Sequence, residues 1–272
     1  MKKFTTGIYT QWALAVLLPG LLSFQQPSES DNQPVSFATG EHLEYRVHYG
    51  FLNAAEAIVD VSDKFHRVKG RTCYRVTAEG RTTGAFDLVT RVRDTWQSYI
   101  DTETLMPSEF YMKQQEGRYF KEQRISFDQG GDKVVSATKG KNSPEEFKEF
   151  KAPDKLHDVI SGYFFLRTID FGSMKEGQAV TVKAFYDNQF YDLRVKYVGK
   201  ETIKTKFGKL NTHRIIPQMP KNELFDGKEA IRIWVSDDIN KVPVKVEFDL
   251  MVGAVAMDLR SYKNLKEDFH WQ

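Results

Sequence analysis

From Gly40 the chain alternates, with Leu43, Tyr45, Val47 and Tyr49 interleaved with His42, Glu44, Arg46 and His48. A period of two puts successive side chains on opposite faces of an extended backbone, so the segment reads as a strand with one buried face. The same alternation returns in Ala57, Val59 and Val61, in Tyr74, Val76 and Ala78, and in Tyr191, Leu193, Val195 and Tyr197. It recurs in Val244, Val246, Phe248 and Leu250, and again in Val255, Met257 and Leu259. Turn-forming residues separate these runs, among them Lys69-Gly70, Gln129-Gly130-Gly131, Asp187-Asn188, Gly208-Lys209, residues 236–241 and Gly253. Short half-buried strands of this kind predict a mainly β fold, a curved antiparallel sheet or open half-barrel, because curvature limits exposed edges.

One segment departs from the pattern. After Pro153 and Asp154, the residues Leu156, Val159, Ile160, Tyr163, Phe164, Arg167 and Ile169 recur at helical spacing. Asp154 is the expected N-cap and Gly172 the stop, which predicts one central helix of about four turns packed against the sheet. The charged stretch Lys139 to Ala152 before it reads as a linker or exposed loop. Apolar residues fall at the same offsets after Gly40 and after Gly177 (Val180, Val182, Ala184, Tyr186), a weak internal echo. The domain plan is therefore a signal peptide and flexible mature start over 1–30, then a single β-rich domain over 31–272, with two halves meeting near 139–172 as the alternative.

Lys2 and Lys3 precede an apolar run from Trp12 to Phe24, the length of a signal-peptide core and too short to span a bilayer comfortably. Polar residues from Gln25 to Pro34 follow, and no cysteine stands there for lipid attachment. The expectation is export to a bacterial periplasm with no transmembrane span in the mature chain. Lys plus Arg number 39 against 37 Asp plus Glu, which disfavours nucleic acid as a partner, since that binding needs concentrated positive charge. The single cysteine, Cys73, excludes an internal disulfide framework.

Several short motifs occur in order: Gly40-Glu41-x-Leu43-x-Tyr45-x-Val47-x-Tyr49-Gly50, Asp101 to Pro107, Asp158-x-x-Ser161-x-x-Phe164-x-x-Arg167, the Gly208 turn, and Trp234-Val235-Ser236-Asp237-Asp238 followed by Pro243. Together, over Gly40 to Leu259, they resemble the bacterial family called domain of unknown function 3108. The resemblance implies an exported protein of Gram-negative bacteria and carries over no catalytic residue. The turn Gly50 to Ala55 departs from the family's Gly-rich form.

No local constellation supplies chemistry. Of six histidines, His42 and His48 share a strand face but stand about 20 Å apart at strand rise, so neither a metal nor another cofactor is expected. Gly-x-Ser-x-Gly is absent, and Cys73 reads as a small buried residue. His157 and Ser161 lie one turn apart, but Asp158 projects about 100° away and cannot orient the imidazole. Asp237-Asp238 reads as hairpin-turn chemistry, and Glu145-Glu146 as a solvated loop.

Aromatic side chains are the remaining excess, with 20 Phe, 12 Tyr and 4 Trp. Tyr163-Phe164-Phe165 and Phe185-Tyr186 place rings on both sides of their elements, so some face a core and others a groove or partner. Tyr163, Phe164, Arg167 and Trp234 are the candidate ligand-binding residues, the rings for apolar contact and Arg167 for an anionic head group. The functional expectation is a non-catalytic periplasmic protein that binds an amphiphilic or lipid-like ligand, or an envelope protein partner. The alternatives are a hydrolase of envelope glycans using Asp158 and Asp237, and a scaffold with no small ligand.

Overall fold

The computed structural model describes residues 35–218, 229–251 and 253–272, so the signal-peptide reading lies outside the described residues. Strand formation follows the alternation. The first strands are β1 (His42–Tyr49), β2 (Leu52–Val61), β3 (His66–Val68) and β4 (Arg71–Thr82). A short helix α1 (Gly84–Val89) leads to β5 (Arg93–Asp101), β6 (Pro107–Glu116), β7 (Tyr119–Asp128), β8 (Lys133–Gly140) and β9 (Glu146–Lys151). The two-residue β10 (Leu156–His157) precedes helix α2 (Val159–Leu166). The chain continues with β11 (Ala179–Tyr186), β12 (Gln189–Thr205), β13 (Gly208–Gln218), β14 (Ile231–Ser236), β15 (Pro243–Asp249) and β16 (Ala254–Lys263).

All these strands belong to one sheet, ordered β10-β11-β12-β13-β14-β15-β16-β1-β2-β4-β5-β6-β7-β8-β9, with β3 beside β4. Every pairing is antiparallel except β10 with β11. The sheet is not closed, and β9 and β10 are its ends. Side chains nevertheless bring those ends together. Phe150 of β9 lies 5.1 Å from the Phe185 ring of β11, and Gln123 of β7 donates to Asn188 in the β11–β12 turn at 3.1 Å.

The curl encloses α2. Val61, Val76, Ile100, Phe110, Ile125 and Val134, from six strands between β2 and β8, form one cluster with Ile160 and Phe164 of the helix and Phe185 of β11. A second cluster holds Leu43, Tyr45, Trp234, Val244 and Leu259 with Phe269 near the C-terminus. The C-terminal residues also anchor the end of the β12–β13 hairpin. Gln272 exchanges backbone hydrogen bonds with Lys209, and Trp271 packs on Phe207.

Two expectations about elements change. The helix begins at Val159 rather than after Asp154 and is two turns long, because Leu156 and His157 pair with Lys183 and Ala184 as strand. Asp158 is the N-cap instead: its carboxylate accepts from Ile160 N and Ser161 N at 2.8 Å, and Ser161 Oγ reciprocates to Asp158 N. The segment expected as a linker contains β9, including Glu146. Its alternating Glu-Phe-Lys pattern suits an edge strand that keeps charge exposed.

Candidate functional site

Tyr163, Phe164 and Arg167 come together, as expected of residues one turn apart on α2, and they do so in the interior. Phe164 is fully enclosed, edge-on to Phe37 at 4.5 Å and to Tyr163 at 5.0 Å. Arg167 is 1% exposed, as is Glu41, and the two form a two-pronged ion pair at 2.6 and 2.8 Å. Arg167 also donates to the carbonyls of Asn240 and Ser36, both at 3.0 Å, and its guanidinium lies over the rings of Phe37 and Phe164. An arginine so committed joins the end of α2 to the segment leading into β1 and to the β14–β15 loop, and an anionic head group would have to displace Glu41 to reach it. Burial pushes the Tyr163 phenol up to about 12.

The two carboxylates of the hydrolase alternative share neither partners nor a cleft. Asp158 is enclosed, and its Oδ2 accepts from Ser98 at 2.6 Å; burial raises its carboxyl to about 6. Adjacent His157 is pushed down to about 4 by burial. Asp237 neutralises other groups, at 2.7 Å from both Lys200 and His213. Burial raises its carboxyl, but these two partners outweigh that and hold it below the ordinary range. Asp238 serves the turn, accepting from Ser236, Asn240 N and Lys241 N. Cys73 is buried beside Ser108, with its thiol raised by burial. Among the described residues no three His, Cys, Asp or Glu side chains are placed to hold a metal ion.

Trp234 leads to a different region. Its Nε1 donates to Glu201 at 3.0 Å, and Lys245 lies 5.1 Å from its ring. Strand register explains the neighbours. Arg214, Trp234, Lys245, Asp258, Arg46, Glu56 and Arg81 stand opposite one another in succession from β13 to β4. Directly opposed residues point to the same side of a sheet, so the seven make one row across seven strands. Salt bridges run along it: Arg46 to Asp258 at 3.8 Å and Arg81 to Glu56 at 2.8 Å, with Arg260 reaching Glu56 at 2.6 Å.

Beside this row lies a cleft of about 600 Å³. One wall is the end of the β12–β13 hairpin. Beyond Gly199, a bulge with a φ of 140° that suits glycine, β12 runs on past the stretch of β13 that pairs with β14. The hairpin contributes Ile203, Lys204, Thr205 and Lys206. Opposite them are Arg46, Glu56, Val244, Lys245, Asp258, Leu259 and Arg260. Five cations face two carboxylates, an excess of three, and flanking Arg81 and Glu247 leave that balance unchanged. The excess of positive charge suits an anion, and of the apolar lining Ile203 is part-exposed while Val244 and Leu259 belong to the core. Sequence reading named Trp234, which is buried beside the row and does not line the cleft, and missed Arg46, Lys204, Lys206, Lys245 and Arg260. Lys204-Thr205-Lys206 at a turn was the one legible signal, since the row exists only once the register is set.

A second, shallower groove of about 430 Å³ lies on β5 to β9, lined by Tyr99, Tyr111, Arg124, Val135, Ala137 and Phe147. Phe147 there is 67% exposed.

No curated protein matches the chain. A solved β-barrel-like protein with a domain of unknown function, DUF1849, from Brucella abortus is 9% identical with a TM-score of 0.53, covering 85% of this chain and 99% of its own. That likeness concerns the fold alone. A protein from Bacteroides fragilis described as exported, with a YmcC-like fold, is 13% identical over 84% of this chain and 97% of its own, at a TM-score of 0.34. The sequence profile of DUF3108, a protein family of unknown function, matches residues 44–260, which cover both the α2 region and the charged row, and the chain belongs to that family.

Proposed function

We propose that this chain is a non-catalytic exported protein that binds an amphiphilic ligand, and that the ligand lies in the cleft between the β12–β13 hairpin and the charged row. One observation carries the reading: the cleft sets part-exposed Ile203, over a floor closed by the buried Val244 and Leu259, beside an excess of three cations. Sites for small amphiphiles need that pairing of apolar wall and few polar anchors. The export reading rests on Lys2, Lys3 and the apolar run Trp12 to Phe24. Trp234 supports the site from behind through Lys245. Tyr163, Phe164 and Arg167 serve it by fixing α2 inside the curl.

Native mass spectrometry of the protein purified without detergent, before and after addition of long-chain amphiphiles, tests this. Adducts of amphiphile mass that vanish on denaturation, and that weaken in Lys245→Glu, are expected. A bare protein mass under both conditions overturns the reading and favours a scaffold with no small ligand, for which the filled interior around Phe164 would be the supporting observation.

A further inference from the structure

The cations of the cleft differ in how far the protein itself uses them. Arg260 is held by Glu56 at 2.6 Å, and Lys245 by Glu247 at 2.6 Å while resting on Trp234. Arg46 is not held in this way. Of the two carboxylates opposite it, Glu56 is taken by Arg81 and Arg260, and Asp258 is 3.8 Å away, beyond hydrogen-bond length, and already taken by His48 at 2.8 Å. Among the described residues the Arg46 guanidinium makes no hydrogen bond, although it is flanked by strands on both sides. Lys204 has no ion-pair partner among the described residues, and Lys206 meets only the ring of Phe207 at 4.6 Å. Within one cleft, therefore, one planar fork keeps only a long ion pair and has its hydrogen bonds to give, and two ammonium groups have no ion-pair partner among the described residues.

We infer that the head group taken by this cleft is a phosphate monoester, so that the ligand is a phosphorylated amphiphile; the inference rests on the amphiphile reading above. A phosphate monoester carries about 1.5 to 2 negative charges at neutral pH, against one for a carboxylate, and so comes nearer to an excess of three cations. Its tetrahedral oxygens also accept the two parallel N–H donors of a guanidinium, leaving others for lysines. The tail packs on part-exposed Ile203, above the floor that the buried Val244 and Leu259 close. No bond is made or broken.

Isothermal titration of the full chain tests it with four probes below their micelle concentrations: lysophosphatidic acid, palmitate, lysophosphatidylcholine and inorganic phosphate. Lysophosphatidic acid should bind about tenfold or more tighter than palmitate, with lysophosphatidylcholine weaker than both and inorganic phosphate weakest. Arg46→Lys keeps the charge and loses the fork; it should remove most of the preference for lysophosphatidic acid over palmitate and leave palmitate binding intact. Lys204→Gln should reduce the same preference and flatten its dependence on salt. Equal affinity for the three amphiphiles overturns the phosphate inference and leaves the amphiphile reading standing. Binding of none of them overturns both, and inorganic phosphate binding as tightly as lysophosphatidic acid overturns the amphiphile reading by showing that the tail contributes nothing.

Discussion

Two regions of this molecule bring arginine and carboxylate together, with opposite consequences. Inside the curl, Arg167 and Glu41 are each 1% exposed, matched one to one, and closed off by Phe37, Tyr163 and Phe164. On the row beside the cleft, Arg46, Arg81 and Arg260 are about half exposed and share Glu56 and Asp258 among them. A buried charge is tolerable only when fully paired, so the first arrangement leaves nothing for a ligand. An exposed charge needs no partner, because water serves, so the second can carry an excess. The lesson is that the arginine most tightly held is the one least available.

The largest expected effect falls on the interior. Arg167→Ala leaves Glu41 buried without its partner and should cost about 3–5 kcal/mol in urea unfolding. Replacing the pair by Arg167→Met with Glu41→Leu should recover most of that loss, because an apolar pair has no charge to desolvate. Loss of cleft binding in the double variant, with the fold kept, would break the division between the two regions.

Next in size is a pH effect on α2. In the unfolded chain His157 titrates near 6.5 and Asp158 near 3.8; burial takes the first to about 4 and the second to about 6. Between pH 4 and 6 the unfolded pair therefore holds one proton on histidine and the folded pair one on the carboxyl, so the two slopes cancel. Asp158→Asn removes one side of the balance. The unfolded state then binds more protons, and stability should rise from pH 4 to 6.5 by about 3 kcal/mol, being fully present above 6.5 and lost as pH falls through 4. His157→Asn should show the reverse, stability falling as pH rises from 3.8 to 6. Flat profiles in both variants would mean that water reaches this end of the helix, and that the interior is not the dry region the comparison requires.

How much of this was legible beforehand follows from the range over which each interaction acts. Alternation is local, so the strands from Leu43 to Leu259 and the mainly β, open sheet followed from the sequence. Helix spacing was legible at Val159, Ile160, Tyr163 and Phe164, but the start was misplaced by four residues, because the parallel pairing of Leu156 and His157 with Lys183 and Ala184 is a tertiary contact. Three of the four candidate site residues are side-chain neighbours by helical spacing alone. That they face inward depends on Glu41, 126 residues away. Arg46, Lys245 and Arg260 come from three strands whose register no local pattern sets. They became a site only when β15, β16 and β1 were aligned.

A smaller effect is expected at Trp234, which stands between the two regions, in the buried cluster by its ring and on the row by its register. Trp234→Phe keeps the apolar ring and removes the N–H that bonds Glu201 at 3.0 Å. Because Glu201 is partly solvated, the loss should be about 1 kcal/mol in urea unfolding. Lys245 should also lose part of its hold on the ring face and become more mobile, weakening ligand binding a few-fold. A change above about 3 kcal/mol would place Trp234 with the interior instead.

The smallest stability effect belongs to a residue that acts only in binding. Lys204 is exposed on the hairpin and has no ion-pair partner among the described residues. Surface substitutions of that kind change stability by about 0.5 kcal/mol or less. Lys204→Ala should therefore unfold in urea with an unchanged midpoint and slope, while binding of an anionic amphiphile falls. Measuring both in one preparation separates the regions sharply, since Arg167→Ala lowers stability through the core and Lys204→Ala lowers affinity without touching it. If Lys204→Ala lowers stability by more than about 1 kcal/mol, then the hairpin end is held to the row by this ammonium group. The cleft would then be internally compensated like the Arg167 pair, and the contrast between a spent arginine and a free lysine would fail.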